Sequence, residues 1–278
     1  MTLYIVSTPI GNLQDITFRA VETLKNCDAI IVEDTRQSAK LLDHYGISKK
    51  MISFHKFSEA KKEDEIIAVL ESGKSLALIS DAGTPLISDP GADLVKRAVE
   101  AKIPVIPIPG PSAPITALSA SGLDTSRFQF VGFLPRKKQE RTEFLEELLE
   151  YPGTTIAFES PERLKETLEE LAEIAPERKC VVARELTKKF EEIARGRAEE
   201  LASSVTFRGE MVLLIEGAPQ KASPDLQSAL DFVHFYQKKQ DVSTKDAVLH
   251  VARLLNVSKR ELYQAAHNWQ SREESAKK

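Results

Sequence analysis

The residues best suited to chemistry stand in four short segments: Ser7–Asn12 (STPIGN), Glu33–Arg36 (EDTR), Ser80–Gly91 (SDAGTPLISDPG) and Pro109–Pro114 (PGPSAP). Each follows an apolar run of strand length. Small residues let a backbone approach a ligand closely, and glycine supplies backbone angles that other residues resist. In the third segment Gly83 and Gly91 have that freedom, Pro85 and Pro90 stiffen the path, and Asp81 and Asp89 are placed to close Asx turns. Asp89-Pro90 also has the form of a helix N-cap followed by proline at the first helical position. Two Gly/Pro-rich pieces, each with an aspartate, exceed what one strand-to-helix turn requires. Glu33-Asp34-Thr35-Arg36 puts two acids and an arginine at a strand end, either as a capped helix start or facing a site.

Several common sites are missing. No GxxxxGK[ST] phosphate loop occurs, and STPIGN stands where a GxGxxG fingerprint would follow the first strand. Nucleoside-triphosphate chemistry and ordinary dinucleotide chemistry are therefore disfavoured. Cys27 and Cys180 belong to no CxxC or Cys/His cluster, and His44, His55, His234, His250 and His267 lack metal-ligand spacing, so neither a disulfide framework nor a metal site is expected. The net charge of -4 argues against nucleic-acid binding over the whole surface. The charge is uneven, however. Tyr236–Lys278 carries nine Lys/Arg against five Asp/Glu, a basic appendage of +4 on a body of -8. The apolar stretch Ile103–Leu118 is interrupted by five prolines, and the first residues lack a basic region before their apolar run, so a cytoplasmic protein with no membrane association is expected.

The elements that must position these loops follow from pattern. Ser75–Ser80 is apolar on successive positions, as in a strand covered on both faces, and is placed centrally in a parallel sheet. Strands at Leu3–Ser7, Ala29–Glu33, Met51–Phe54 and Val105–Ile108 alternate with helices at 15–26, 37–45, 59–72 and 92–101, which gives a parallel sheet with helices on both faces. Beyond Gly122, strands at 127–133, 154–158, 180–185, 190–197 and 210–216 with helices from about 141 to 150 and at 161–174 imply a mixed sheet. The expected organisation is an α/β domain at 1–115, a second α/β domain at 116–219 with a cleft between the two, and a linker and helical extension at 220–278. In the extension, helices at 226–237, 244–255 and 259–269 form a helix-turn-helix around Asn256-Val257-Ser258, with Ser243/Asp246 and Ser258/Glu261 as capping boxes.

The ordered series STPIGNLQDIT, EDTR, SDAGTPLISDPG, PGPSAPITALSASG, FVGFLPRK, FESPERL, RELTKKFEE and GEMVLLIEG, from about Leu3 to Gly217, resembles the tetrapyrrole methylase superfamily. The motifs are most similar to the branch that methylates the 2′-hydroxyl of a cytidine in 16S ribosomal RNA. The resemblance implies S-adenosylmethionine, bound between two α/β domains without a Rossmann fingerprint, a homodimer, and the 16S rRNA of the 30S subunit as partner. Carried over by position, the cofactor-lining residues are Pro9, Asp81, Gly83, Thr84, Pro85, Ser88, Gly110, Ser112, Ala113, Phe158, Glu159 and Leu186. Gly83-Thr84-Pro85 stands where other members have Gly-Asp-Pro, so an acidic role at position 84 is lost while backbone contacts survive.

A ribose hydroxyl is a poor nucleophile until its proton leaves, so a base is expected nearby. Glu33, Asp34 and Lys188 are the candidates, the lysine on the expectation that burial lowers its pKa. Arg36, the cluster Arg136, Lys137, Lys138 and Arg141, and Lys259 and Arg260 in the extension are candidates for RNA phosphates. Two other readings stand beside this one: a methyltransferase of a small tetrapyrrole, and a non-catalytic nucleic-acid-binding regulator. The first leaves the basic extension unexplained and the second leaves the four loops unexplained.

Overall fold

The computed structural model describes residues 1–54, 59–219, 225–255 and 257–276. His55, residues 220–224 of the expected linker and Asn256 of the expected turn lie outside the described residues.

The first sheet contains β1 (Thr2–Val6), β2 (Ala29–Val32), β3 (Lys50–Ser53), β4 (Ser75–Leu78) and β5 (Val105–Ile108) in the order β3-β2-β4-β1-β5, all parallel. β4 is the middle strand, as its unbroken apolar run requires. Successive residues of one strand serve opposite layers. Ile31, Leu76 and Leu78 pack with Ile66 and Leu94, from α3 (Glu59–Glu71) and α4 (Ala92–Glu100). Ile30 and Ala77 pack with Leu24 and Leu42, from α1 (Phe18–Asn26) and α2 (Thr35–His44). The carboxyl ends of all five strands point to one edge, which gathers the four loops there.

The second sheet has the order β6-β7-β10-β8-β9, with β6 (Phe128–Phe133), β7 (Thr154–Glu159), β8 (Lys179–Arg184), β9 (Glu192–Arg197) and β10 (Met211–Ile215). The β6–β7 pair is parallel and the remaining pairs are antiparallel, so this sheet is mixed. One face is covered by α6 (Lys138–Leu149), α7 (Pro161–Ile174) and α8 (Ala198–Ser204), through Leu145, Leu164, Leu168 and Leu201. The other packs on α5 (Ala113–Ser121), and Ile10 from the loop after β1 enters this layer beside Leu118, Leu186 and Val212. Both sheets thus belong to one compact unit, Met1–Ala218.

Pro219–Lys278 forms a separate unit. Its helices α9 (Leu226–Gln240), α10 (Thr244–Leu255) and α11 (Lys259–Ala276) enclose Ala229, Val233, Val248, Val251, Leu262 and Ala266. Ser243 Oγ accepts from the Asp246 amide and donates to its carboxylate, and Ser258 Oγ accepts from the Glu261 amide at 3.4 Å.

The sequence pattern assigned no element to Ala113–Ser121, which is a helix; Pro114 falls in its first turn, where its missing N–H costs nothing. Two local readings are corrected. The basic stretch expected as a loop to Arg141 is already helical from Lys138. Asp89 does not cap a helix: α4 begins at Ala92 with Gly91 as its N-cap at φ 115°, leaving Asp89 in the loop.

Candidate functional site

Hydrogen bonds fasten the loops after β1, β4 and β5 together. Thr8 and Gly83 exchange backbone hydrogen bonds (2.8 and 3.1 Å), and Thr8 Oγ1 donates to the Ser80 carbonyl at 3.1 Å. Thr84 Oγ1 donates to the Pro111 carbonyl at 3.1 Å and lies 3.1 Å from Ser7 Oγ; its one proton is already used, so Ser7 is the donor there. The loop after β4 holds Gly83, Leu86, Ser88 and Gly91 at positive φ (80°, 74°, 72° and 115°). A left-handed conformation at Leu and Ser costs on the order of 1–3 kcal/mol each and persists where surroundings impose it, as they do at ligand loops.

These loops form one wall of a cavity of about 380 Å³. Ile10, Gly83, Thr84, Ser88 and Asp89 come from the first sheet's loops, and Ser112, Ala113 and Pro114 from the start of α5. The opposite wall is Phe133, Phe158, Glu159, Leu186 and the segment Gly209–Val212. Phe158 is held edge-on by Phe130 (4.9 Å between centroids) and tilted against Phe133 (5.4 Å), while Phe133 itself remains exposed at the rim. A mainly apolar chamber of this size with a few convergent polar groups has the form of a small-molecule site.

Of the twelve positions that the resemblance assigns to a cofactor site, Gly83, Thr84, Ser88, Ser112, Ala113, Phe158, Glu159 and Leu186 line the cavity. Pro9, Asp81, Pro85 and Gly110 do not. Asp81 accepts from the Asp34 amide (3.2 Å), and Pro85 lines a narrow crevice with Glu33 and Asp89. Gly110 packs so closely on β1's end that a Cβ would come within 2.8 Å of Ser7 Cβ. Pro9 is buried between the paired Thr8 and the core residue Ile10. Sequence reasoning missed Asp89, Phe133 and Glu210 as lining residues. A cap-like Asp-Pro pair hid the first, and an alternating strand pattern gives no sign of which aromatic reaches a cavity.

The lysine expectation is reversed. Lys188 Nζ lies 2.9 Å from Glu185 and 3.0 Å from Glu210. Burial alone would lower its pKa, but the two carboxylates outweigh burial and hold it above the usual lysine value, so it stays protonated. It also packs on the loop after β1, where a Cβ on Gly11 would meet Lys188 Cγ at 2.5 Å. Asp34 caps α2 by accepting from the Arg36 amide (2.8 Å), and it pairs with the Arg36 guanidinium; these bonds lower its pKa, which weakens it as a base. Glu33 faces the crevice rather than the main cavity.

Arg141 is a second correction. It is 1 % exposed and forks onto Glu170 with bonds of 3.0 and 2.6 Å, so it holds α6 to α7 and reaches no RNA. Arg136, Lys137 and Lys138 are exposed just beyond Phe133, with Lys137 paired to Glu140. Arg36 is exposed in the first turn of α2, and Lys259 and Arg260 are exposed in the first turn of α11. Cys27 and Cys180 are buried, and burial pushes the Cys180 thiol up to about 12, which removes it as a nucleophile. Among the described residues no cluster of His, Cys, Asp and Glu is placed to hold a metal, and no helix is long and apolar enough to cross a membrane.

The family model for Tetrapyrrole (Corrin/Porphyrin) Methylases matches residues 2–202. The ribosomal RNA small subunit methyltransferase I of Halalkalibacterium halodurans is 45% identical over 274 residues, covering 96% of this chain and 94% of that one. The protein of the same name from Bacillus subtilis is 44% identical over 274 residues, covering 95% and 94%. Among solved structures, a diphthine synthase superposes with a TM-score of 0.61 at 16% identity over 78% of this chain and 90% of its own. The uroporphyrin-III-C-methyltransferase of Thermus thermophilus gives 0.54 at 18% identity over 77% and 94%. These two share the fold. The two-sheet architecture, the loops gathered at one sheet edge and the match over most of the chain together place this protein in the tetrapyrrole methylase family.

Proposed function

We propose that this protein is an S-adenosylmethionine-dependent methyltransferase acting on the ribose 2′-hydroxyl of a cytidine in the decoding region of 16S ribosomal RNA. The observation that carries the reading is that similarity to relatives named for the small-subunit RNA spans about 95% of the chain, whereas the family model ends at residue 202. It therefore includes the basic helical unit, for which a tetrapyrrole substrate gives no reason.

When bound, S-adenosylmethionine supplies an electrophilic methyl on a sulfonium. The chain's part is positioning: acceptor oxygen and methyl carbon must lie in line, and holding two reactants so removes much of the barrier. The Thr8–Gly83 and Thr84–Pro111 bonds fix the wall against which the cofactor would rest. The apolar faces of Ile10, Phe158, Leu186 and Val212 exclude water from it. Phe133 at the rim offers a stacking face for an unpaired base, and Arg136 and Lys138 follow within five residues to take phosphates. The acceptor must enter a cleft, which favours a splayed nucleotide in a folded 30S subunit over one in a continuous helix. The cytoplasm and a homodimer complete the reading. Incubation with labelled cofactor and 16S rRNA, 30S particles or a precorrin tests it: label on a cytidine ribose supports the proposal, and label in precorrin alone replaces it.

A further inference from the structure

We infer that Asp89 is the group that takes the proton from the acceptor hydroxyl. The inference rests on the ribose methylation proposed above and assigns the base within that site. Among the described residues three carboxylates line the cavity: Asp89, Glu159 and Glu210. Two are committed elsewhere. Glu159 is fully buried, pairs with the Arg163 guanidinium, and accepts from the Ser160 amide (2.7 Å) and Thr167 Oγ1 (3.3 Å). Glu210 pairs with Lys188 at 3.0 Å. Each would surrender an ion pair on accepting a proton.

Asp89 is placed differently. It stands half-buried between the left-handed Ser88 (φ 72°) and the crevice residue Pro90, forming part of the wall between the main cavity and the crevice. The neutral Ser80 hydroxyl acts on it from one side and the acidic Asp81 from another, and Glu33 lines the same crevice. No ion pair to Asp89 occurs among the described residues. Burial first, and then Asp81, raise its carboxyl above the usual aspartate value against the opposing Ser80 bond. A desolvated carboxylate with acidic neighbours gains on accepting a proton, which is the property a base needs. The strained backbone that holds it is the same loop that carries Gly83 and Thr84.

In the step assigned, a lone pair of the ribose 2′-oxygen forms the new bond to the methyl carbon. The methyl–sulfur bond breaks with its electron pair on sulfur, and the sulfonium becomes a neutral thioether. The 2′-oxygen–hydrogen bond breaks and its proton passes to the Asp89 carboxylate, so one positive and one negative charge are cancelled together. The carboxylic acid then returns the proton to water.

The test compares wild type, Asp89→Asn and Asp89→Glu by calorimetric titration with S-adenosylmethionine, by 30S binding, and by single-turnover methylation of 30S subunits as a function of pH. Asp89→Asn is expected to bind cofactor and subunit within roughly threefold of wild type and to lose about 10²- to 10⁴-fold in rate, the usual worth of a positioned base. It should also lose the rise of rate with pH on the acid side, and Asp89→Glu should recover part of both. Asp89→Asn with a normal rate and an intact acid limb overturns the assignment. So does a loss of cofactor affinity as large as the loss of rate, which makes Asp89 an anchor for the cofactor's ammonium group. A wild-type protein that methylates no form of the rRNA instead overturns the ribose reading, and this assignment with it.

Discussion

Ser7 and Thr84, 77 positions apart in sequence, share a hydrogen bond of 3.1 Å that joins the end of β1 to the loop after β4. Thr84 passes the connection on to the Pro111 carbonyl beyond β5. Thr84 thus works as a clasp between the loops after β1, β4 and β5. Thr84→Val keeps the shape and removes both bonds. The expected result is a loss of about 1–3 kcal/mol in stability, from leaving the Pro111 carbonyl and Ser7 hydroxyl without this partner, and weaker cofactor binding. Denaturant unfolding and calorimetric titration read the two effects.

Ser112→Trp tests whether the chamber is the cofactor site. Ser112 lines the cavity with ordinary extended backbone angles (φ -146°), so a large side chain there fills ligand space without backbone strain. S-adenosylmethionine affinity should fall by more than about 100-fold, since the indole takes up volume that a ligand of this class fills. Wild-type affinity in a folded variant would move the cofactor elsewhere.

The basic residues divide into a structural one and exposed ones. Arg141→Ala leaves Glu170 buried without its cation and should cost about 3–5 kcal/mol in denaturant unfolding. The double variant Arg136→Ala, Lys138→Ala should fold normally, weaken 30S binding and reduce the slope of log affinity against log salt by about 1–2. An unchanged salt slope would remove these two from the RNA surface.

The parallel sheet was legible because β2 and β4 are short runs apolar at consecutive positions, as expected of strands covered on both faces. Of the eight lining residues carried over from the resemblance, Gly83, Thr84, Ser88, Ser112 and Ala113 fall in segments whose small residues mark a close approach to ligand, whereas Phe158 and Glu159 end β7 and Leu186 follows β8. What the chain could not declare is side-chain pairing at a distance. Arg141 reads as one more cation in a basic run, yet Glu170, 29 positions on, buries it. Lys188 reads as a lysine that burial neutralises, yet Glu185 and Glu210 converge on it through the left-handed Glu185 and Gly209 (φ 49° and 86°). Asp89 looks like a helix cap because Asp-Pro has that form, and Gly91 takes the role instead.

Lys188 gives a pH signature. Its pKa is raised in the folded state, so the stabilisation it contributes is fully present below the unfolded lysine value of about 10.4 and is lost as pH rises through the higher folded value. Lys188→Met should lower stability by about 1 kcal/mol at pH 8, the scale of a partly exposed pair, and flatten the alkaline decline. Asp89 has a raised pKa as well, but there the ionised form is the one the fold disfavours. Its raised pKa means that ionisation costs stability from the unfolded aspartate value upward, so Asp89→Asn should unfold at the same temperature as wild type or higher at pH 7.

The central claim is the identity of the methylated atom. The measurement is to incubate 30S subunits with the protein and labelled S-adenosylmethionine, subject the rRNA to alkaline cleavage, and analyse the nucleosides by mass spectrometry. The account predicts resistance to cleavage on the 3′ side of one cytidine in the decoding region, because a methylated 2′-oxygen cannot attack the adjacent phosphate, and a methyl on the sugar fragment. A methyl on the base fragment, or label in a precorrin and in no form of the rRNA, would contradict it.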